Sequence, residues 1–249
     1  MSVSAGEEAV IWHDVENGAY DADLDVWREL AEGAGGPIIE VGCGTGRIAL
    51  DLAKRGHHVL GVDIEPEFVR ALRDRAGRRG LDANASVGDV RDLRVEGEFA
   101  LVIVPMQTIQ ILDSEDERRD ALESMRRVLA PRGLIALAIV AGDLGAGAPG
   151  FELGRPLPDV GEYGGYVYSS LPTELRAEDG RIVISRLRQV VTPDGDLTEE
   201  LSELALAVLD AESLQSEALE ASLRAAGRLE IPHTDLHVAS TVVLLESFE

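Results

Sequence analysis

The chain is 249 residues long, 45% hydrophobic and 28% charged, so it can bury one large α/β core without a disulfide or metal staple and is too apolar for wholesale disorder. Its 46 Asp and Glu against 23 Lys and Arg give a formal charge of −23, which excludes nucleic acid and anionic membrane surfaces as expected partners, because holding phosphates needs clustered cations. A lone cysteine, Cys43, rules out an intrachain disulfide and a CxxC site, and a lone lysine, Lys54, leaves Schiff-base chemistry a single candidate.

Through residue 36 there are nine Asp or Glu against one Arg. Trp12 to Ala31 reads as helical, with Leu24, Trp27, Leu30 and Ala31 at 3/4 spacing. From Pro37 the rhythm becomes strand, glycine turn, helix. Ile38-Ile39-Glu40-Val41 is a short apolar run that opens into Gly42-Cys43-Gly44-Thr45-Gly46 and a helical pattern through Lys54. Val59 to Val62 is a second strand ending at Asp63, and a helix from about Pro66 to Arg79 follows. Ala85 to Val87 ends at Gly88-Asp89, and Phe99 to Val104 is a fourth strand. Ser114 caps a helix carrying Leu122, Met125 and Leu129, with Pro131-Arg132-Gly133 as its terminator and Leu134 to Val140 as the fifth strand. This alternation predicts a parallel sheet covered by helices on both faces. The longest apolar run, Leu134 to Ala141, is far short of the roughly 20 residues that span a bilayer. The N-terminus lacks the basic-then-apolar pattern of a signal peptide, so a cytoplasmic protein is expected.

Beyond Ala141 the grammar is antiparallel. A Gly/Pro-rich connector, 142 to 161, leads into three strand-like stretches at about 165–177, 181–192 and 196–209, with Glu178-Asp179-Gly180 and Pro193-Asp194-Gly195 as hairpin turns. A helix from about Ser216 to Ala226 should end at Gly227, and two strands near 228–233 and 237–246 finish the chain. The expected organisation is a helical cap (1–36), a core domain (37–141 with 212–249) and an inserted antiparallel meander (150–210).

The stretch from Glu40 to Gly46 joins a strand to a helix, where backbone N–H groups and the helix dipole meet anionic groups. A dinucleotide fingerprint needs a third glycine at position 47, which is Arg, and no GK[ST] follows; nicotinamide cofactors and the Walker loop are thus disfavoured. Asp63 stands 21 residues after Gly42, at a strand end suited to accepting two ribose hydroxyls. Asp89, after the third strand, is suited to an adenine amino group. In this order, at successive strand ends, the three anchors describe one ligand lying across the sheet's switch point.

With these residues the chain resembles the class I S-adenosylmethionine-dependent methyltransferases, from about Pro37 to Val140 and again over the last helix and two strands. The resemblance implies a Rossmann-like seven-stranded sheet of order 3-2-1-4-5-7-6, with strand 7 antiparallel. It also implies S-adenosyl-L-methionine as cofactor, held by Glu40, Gly42, Cys43, Gly44, Thr45, Gly46 and Arg47, by Asp63 and Ile64, by Gly88, Asp89 and Val90, and by Val104 and Met106 after strand four. The Val104-Pro105-Met106-Gln107 sequence departs from the Asn-Pro-Pro-Tyr of base-methylating members, and the meander is similar in layout to the lid of small-molecule methyltransferases.

Methyl transfer from a sulfonium needs no covalent nucleophile, and holding the acceptor in line is most of the task. A base is needed only where the acceptor must lose a proton. The candidates near an acceptor are His13, Glu16 and Tyr20 in the entrance segment and Gln107 after strand four. His233, Asp235 and His237 alternate but lack a fourth ligand, so no metal site is expected. The meander adds twelve Asp or Glu against five Arg to the acidic entrance, which favours a neutral or amine-bearing small-molecule acceptor. The atom methylated (N, O or C) stays open, a homodimer is an expectation, and the rival reading is a non-catalytic S-adenosylmethionine-binding partner or regulator.

Overall fold

The computed structural model describes residues 4–140, 156–234 and 238–248. Two helices open the chain, α1 (Ala5–Asn17) and α2 (Leu24–Ala34), where the sequence predicted one. The break follows from Gly18, which caps α1 by donating its N–H to Asp14 O, and from Asp23, which is buried and bound by Trp27 Nε1 at 2.9 Å.

The parallel sheet is built from β1 (Ile38–Val41), β2 (Val59–Asp63), β3 (Ala83–Val87), β4 (Phe99–Val104) and β5 (Leu129–Ile139), connected through α3 (Arg47–Lys54), α4 (Pro66–Arg79) and α5 (Glu115–Arg127). Adding β10 (Leu223–Ile231) and β11 (Ser240–Ser247) gives the order β3-β2-β1-β4-β5-β11-β10, with β11 antiparallel to β5. This is the order implied by the resemblance, with β11 and β10 in the places of strands seven and six. Alternation along the strands divides the core. Ile39, Val102 and Val104 pack with Leu122 and Met125 of α5 on one face, while Ile38, Leu101 and Ile103 pack with Trp27, Leu52 and Leu72 on the other. Each fully buried aliphatic side chain contributes about 1.5–3 kcal/mol.

A second sheet of four strands, β6 (Asp159–Tyr163), β7 (Tyr166–Glu178), β8 (Arg181–Val191) and β9 (Leu197–Ala207), stands in place of the three predicted strands. The extra strand, β6, was read as connector. Gly164 and Gly165, both at positive φ, make the two-residue turn that returns β6 onto β7.

Three further boundaries differ. The helix α6 (Ala211–Glu220) begins where the Asp210 side chain accepts from Ser213 N, well before Ser216. Gly227 does not cap it but occupies a bulge inside β10, where the register to β11 shifts. Strand β5 runs through Pro131-Arg132-Gly133, with Arg132 in the left-handed region, instead of starting after it. His233 lies past the end of β10, and Asp235 and His237 fall outside the described residues.

Candidate active site

The carboxyl ends of β1, β2, β3 and β4 share one edge of the sheet. After β1 the chain turns through Gly42, Gly44 and Gly46 at φ of 69°, 51° and 95°, a path that side chains with a Cβ rarely follow. The loop is tied to β2 by Gly42 N and Cys43 N, which donate to Val62 O at 2.8 and 3.1 Å. Gly44 N donates to Asp63 Oδ2 at 2.7 Å and Glu65 N to Asp63 Oδ1 at 3.0 Å. These bonds orient the Asp63 carboxylate at the strand end while using two of its roughly four lone-pair positions.

Glu40 lies beneath this loop, 2% exposed, with the backbone N–H of Ala49 donating to its carboxylate and Oε2 without a partner among the described residues. Burial pushes its pKa up to about 8, against the opposing pull of the Arg47 charge and the Ala49 N–H. Burial also pushes the Cys43 thiol far above its ordinary value, so it is no nucleophile.

Gly88 N donates to Asp63 O at 2.9 Å, carrying the edge on to β3. Asp89 accepts from Arg91 Nε and from Arg91 N, and this pairing holds its carboxyl below the usual range. A cavity of about 250 Å³ opens here, lined by Val62, Val87, Gly88, Asp89 and Val95, among others. Val87 in its lining and Ile64 after the end of β2 are both more than half exposed. Val90 begins a 3-10 turn, 90–92, and packs against the core.

Beyond β4, Val104 is fully buried and Met106 adopts φ 48°, a left-handed conformation uncommon for such a residue and frequent where side chains are presented to ligands. Gln107 follows, partly exposed, and its amide has no hydrogen-bond partner among the described residues. Thr108 donates to Pro105 O at 2.9 Å and stands over Gly42, where a Cβ would lie 2.5 Å from its Cγ2.

Helix α1 places the entrance candidates. His13 rests on Gly44, where a Cβ would meet its ring at 2.2 Å, and meets the Phe68 ring at a 54° tilt, 4.6 Å between centroids. Desolvation holds its pKa below the ordinary histidine value despite the nearby carboxylates of Asp14 and Asp63, so the imidazole is neutral at pH 7. Two of the sequence candidates are otherwise engaged. Glu16 is forked by Arg188 at 2.8 Å to each oxygen and accepts from Ser170 Oγ at 2.7 Å. Although burial acts to raise its pKa, these bonds hold it below the usual range, so Glu16 is a tether to the second sheet and not a proton acceptor. Tyr20 lies under the Arg47 guanidinium, 5.1 Å from ring centroid to cation, and gives its carbonyl to Arg47 at 2.9 Å. Arg47 itself is clamped by Asp23 at 2.6 and 2.7 Å, fixing α2 to the start of α3 and leaving its guanidinium committed away from a loop ligand.

Several residues escaped sequence reasoning. Asp14 accepts from Thr45 Oγ1 at 2.7 Å and pairs with Arg75, which also donates to Thr45 O. The fully buried Gln110 joins Val140 to Ala207 by bonds of 2.8–3.1 Å, linking the edge below β4 to the second sheet. Arg186 and Arg188, two apart on a strand and so on one face, were the legible sign of a cationic seat for an acid.

Three positive-φ glycines thus form a loop over a buried, half-partnered acid, with further acids closing β2 and β3, and residues 38–133, which carry these features, match the family described as "Methyltransferase domain". A curated relative, the S-adenosyl-L-methionine-dependent Diels-Alderase iccD of Talaromyces variabilis, is 33% identical over 154 residues, 61% of this chain and 51% of the relative. The chain spans about half or less of the length of the curated relatives it matches. Among solved structures, Streptomyces venezuelae DesVI superposes with a TM-score of 0.73 at 17% identity, over 98% of this chain and 99% of that one. The sugar N-methyltransferase KedS8 from Streptoalloteichus sp ATCC 53650 gives 0.73 at 18%, over 98% and 95%. Both share the fold over nearly all of this chain.

Proposed function

We propose that the protein transfers a methyl group from S-adenosyl-L-methionine to a small-molecule acceptor, with an amine nitrogen as the favoured target. The observation that carries this reading is the buried Glu40 oxygen left without a partner among the described residues, below the glycine loop. An acid so placed suits a ligand that brings a cation, as the amino-acid end of this cofactor does. The residues present fit the group. Gly42 to Gly46 offer backbone N–H groups, Asp63 keeps free lone pairs for a diol, and Val87 and Asp89 line a cavity of about 250 Å³ suited to adenine. When bound, the cofactor supplies a methyl carbon activated by a sulfonium.

The chain's own part is to bind, orient and exclude water. In this reading residues 1–36 cap the site, 37–141 with 212–249 form the cofactor domain, and 150–210 cover the acceptor. Gln107, with its uncommitted amide, orients the acceptor, and the neutral His13 takes a proton from an ammonium acceptor so that a lone pair is available. The acidic entrance and meander favour a neutral or amine-bearing molecule over a polyanion. The names of fold neighbours such as the sugar N-methyltransferase KedS8 agree with an amine. A homodimer working in the cytoplasm is part of the same proposal; among the described residues no helix is long and apolar enough to cross a membrane.

The second reading is a protein that binds S-adenosylmethionine without transferring its methyl. It is favoured by one observation, a relative named as a Diels-Alderase and not as a methyltransferase. Profiling amines, phenols, carboxylates and phosphorylated metabolites for release of S-adenosylhomocysteine separates the two. Turnover with amines is expected. A preference for phosphorylated acceptors would remove the charge argument, and tight cofactor binding with no turnover across all classes would favour the second reading.

A further inference from the structure

Helix α1 is gripped from two sides. Toward the glycine loop, Asp14 accepts from Thr45 Oγ1 at 2.7 Å and Arg75 Nη1 at 2.9 Å, and the His13 ring lies against Gly44. Toward the second sheet, Trp12 and Glu16 are one helical turn apart and so share a face. Arg188 of β8 engages both, its guanidinium 5.0 Å from the Trp12 ring centroid and forked onto Glu16 at 2.8 Å. Tyr168 of β7 meets Trp12 edge-on at 5.1 Å, and Gly161 of β6 lies so close that a Cβ there would stand 2.9 Å from Val15.

A ligand reaching both the loop and Asp63 meets the His13 ring, because Gly44 is at once the residue under that ring and the donor to Asp63. Occupancy of the loop therefore bears directly on α1. The joint to the second sheet, in contrast, centres on Glu16, which is forked by Arg188, accepts from Ser170 Oγ at 2.7 Å and has Arg186 Nε 3.6 Å away, with the Trp12–Tyr168 contact beside it. A chain of packed groups thus runs from Gly44 through His13 and α1 to Glu16, Arg188 and the β7–β8 ribbon.

We propose that α1 couples the two halves of the site, with Glu16 and Arg188 as positioning residues that transmit occupancy of the glycine loop to the strands that cover the acceptor. The proposal rests on the reading of the glycine loop as the S-adenosylmethionine site. It adds that the second sheet is steadied by the cofactor before an acceptor arrives, and that the coupling is reciprocal.

The test is amide hydrogen exchange of the full chain with and without S-adenosylhomocysteine, with calorimetry to establish binding in each variant. In the wild type, S-adenosylhomocysteine should slow exchange in β7 and β8 by about fivefold or more. Glu16→Gln should abolish that slowing while S-adenosylhomocysteine affinity stays within about twofold, because the loop-side contacts of α1 are intact. Arg188→Gln cuts the same joint from the lid side and serves if Glu16→Gln does not fold. The double exchange Glu16→Arg with Arg188→Glu should restore at least part of the protection, a rescue that general destabilisation would not produce. Slowing that persists in both single variants, or a lid unaffected by bound S-adenosylhomocysteine in the wild type, would overturn the coupling alone. Failure of the wild type to bind S-adenosylhomocysteine would overturn the cofactor reading and the coupling with it.

Discussion

Glu40 and Glu16 are carboxylates withdrawn from water at the two ends of the site, and their surroundings treat them in opposite ways. Glu40, below the glycine loop, keeps one oxygen without a partner among the described residues, and burial pushes its pKa up to about 8. Glu16, at the second sheet, is shielded too, but Arg188 and Ser170 more than offset that burial and hold it below the usual range. The cofactor side is built from backbone N–H groups and strand-end acids that leave room for a charged ligand. At the second sheet the acid is met by Arg188 and Ser170. A buried acid left short of partners costs stability and is where a ligand is wanted, whereas a fully satisfied one is where the fold holds itself together.

The largest expected effect is on pH dependence. A raised folded-state pKa on Glu40 means that the stability of its neutral form is present below about pH 4.5 and is lost as the pH rises toward 8. The ligand-free protein should lose on the order of 3–5 kcal/mol across that window, and Glu40→Gln should flatten the loss; urea unfolding at a series of pH values measures both. Glu16 has the other sign. Its pairing contributes above the ordinary carboxylate pKa and is lost as the pH falls through its lowered one. Acidification should therefore loosen α1 from the second sheet while the loop side grows more stable, and in a Trp27→Phe background, where fluorescence reports Trp12 beside Tyr168, emission should change only at acid pH. Equal slopes at the two ends would erase the contrast.

The next effect belongs to Asp63. Asp63→Ala should weaken S-adenosylmethionine binding by about 2–3 kcal/mol in a folded protein, the scale of charge-assisted hydrogen bonds to a diol. Unchanged affinity by calorimetry would sink its assignment. Arg188→Gln should cost about 2 kcal/mol of stability by leaving the Glu16 carboxylate without its fork, a loss visible as a lower urea midpoint. The smallest effect falls on Gln107. Removing its amide in Gln107→Ala should lower kcat/KM about tenfold through the acceptor and leave cofactor affinity alone. A change in cofactor affinity instead would move Gln107 to the other half of the site.

The two halves also differed in how far they could be read from the sequence. Strand-end acids and a glycine loop are local features, each within a few residues of the strand that presents it, so Glu40, Gly42 to Gly46, Asp63 and Asp89 could be singled out as site candidates before any geometry. The lid's contacts are not local. Glu16 and Arg188 are 172 residues apart, and nothing near Glu16 marks it as paired; the same carboxylate read equally well as a base. Arg47 failed for a related reason, since its partner Asp23 sits on an acidic helix whose other carboxylates face water. In the fold, β6 was missed because its two apolar residues, Val160 and Tyr163, are three apart among Asp159, Gly161 and Glu162 and so show no two-residue rhythm, and the Gly164-Gly165 turn beside it was its clearest signal. Gly227 misled because a glycine after a helical pattern means a cap in one context and a bulge in another.

The central claim is that a cationic ligand completes the buried acid beneath the glycine loop. It is tested most directly by calorimetry of S-adenosylhomocysteine binding at pH 7 in buffers of different ionisation enthalpy. A Glu40 that is mostly protonated when free and paired with an ammonium when bound should release about one proton per ligand, and Glu40→Gln should abolish that release while still binding. Binding with no proton release in the wild type, or release that survives in Glu40→Gln, would contradict the account.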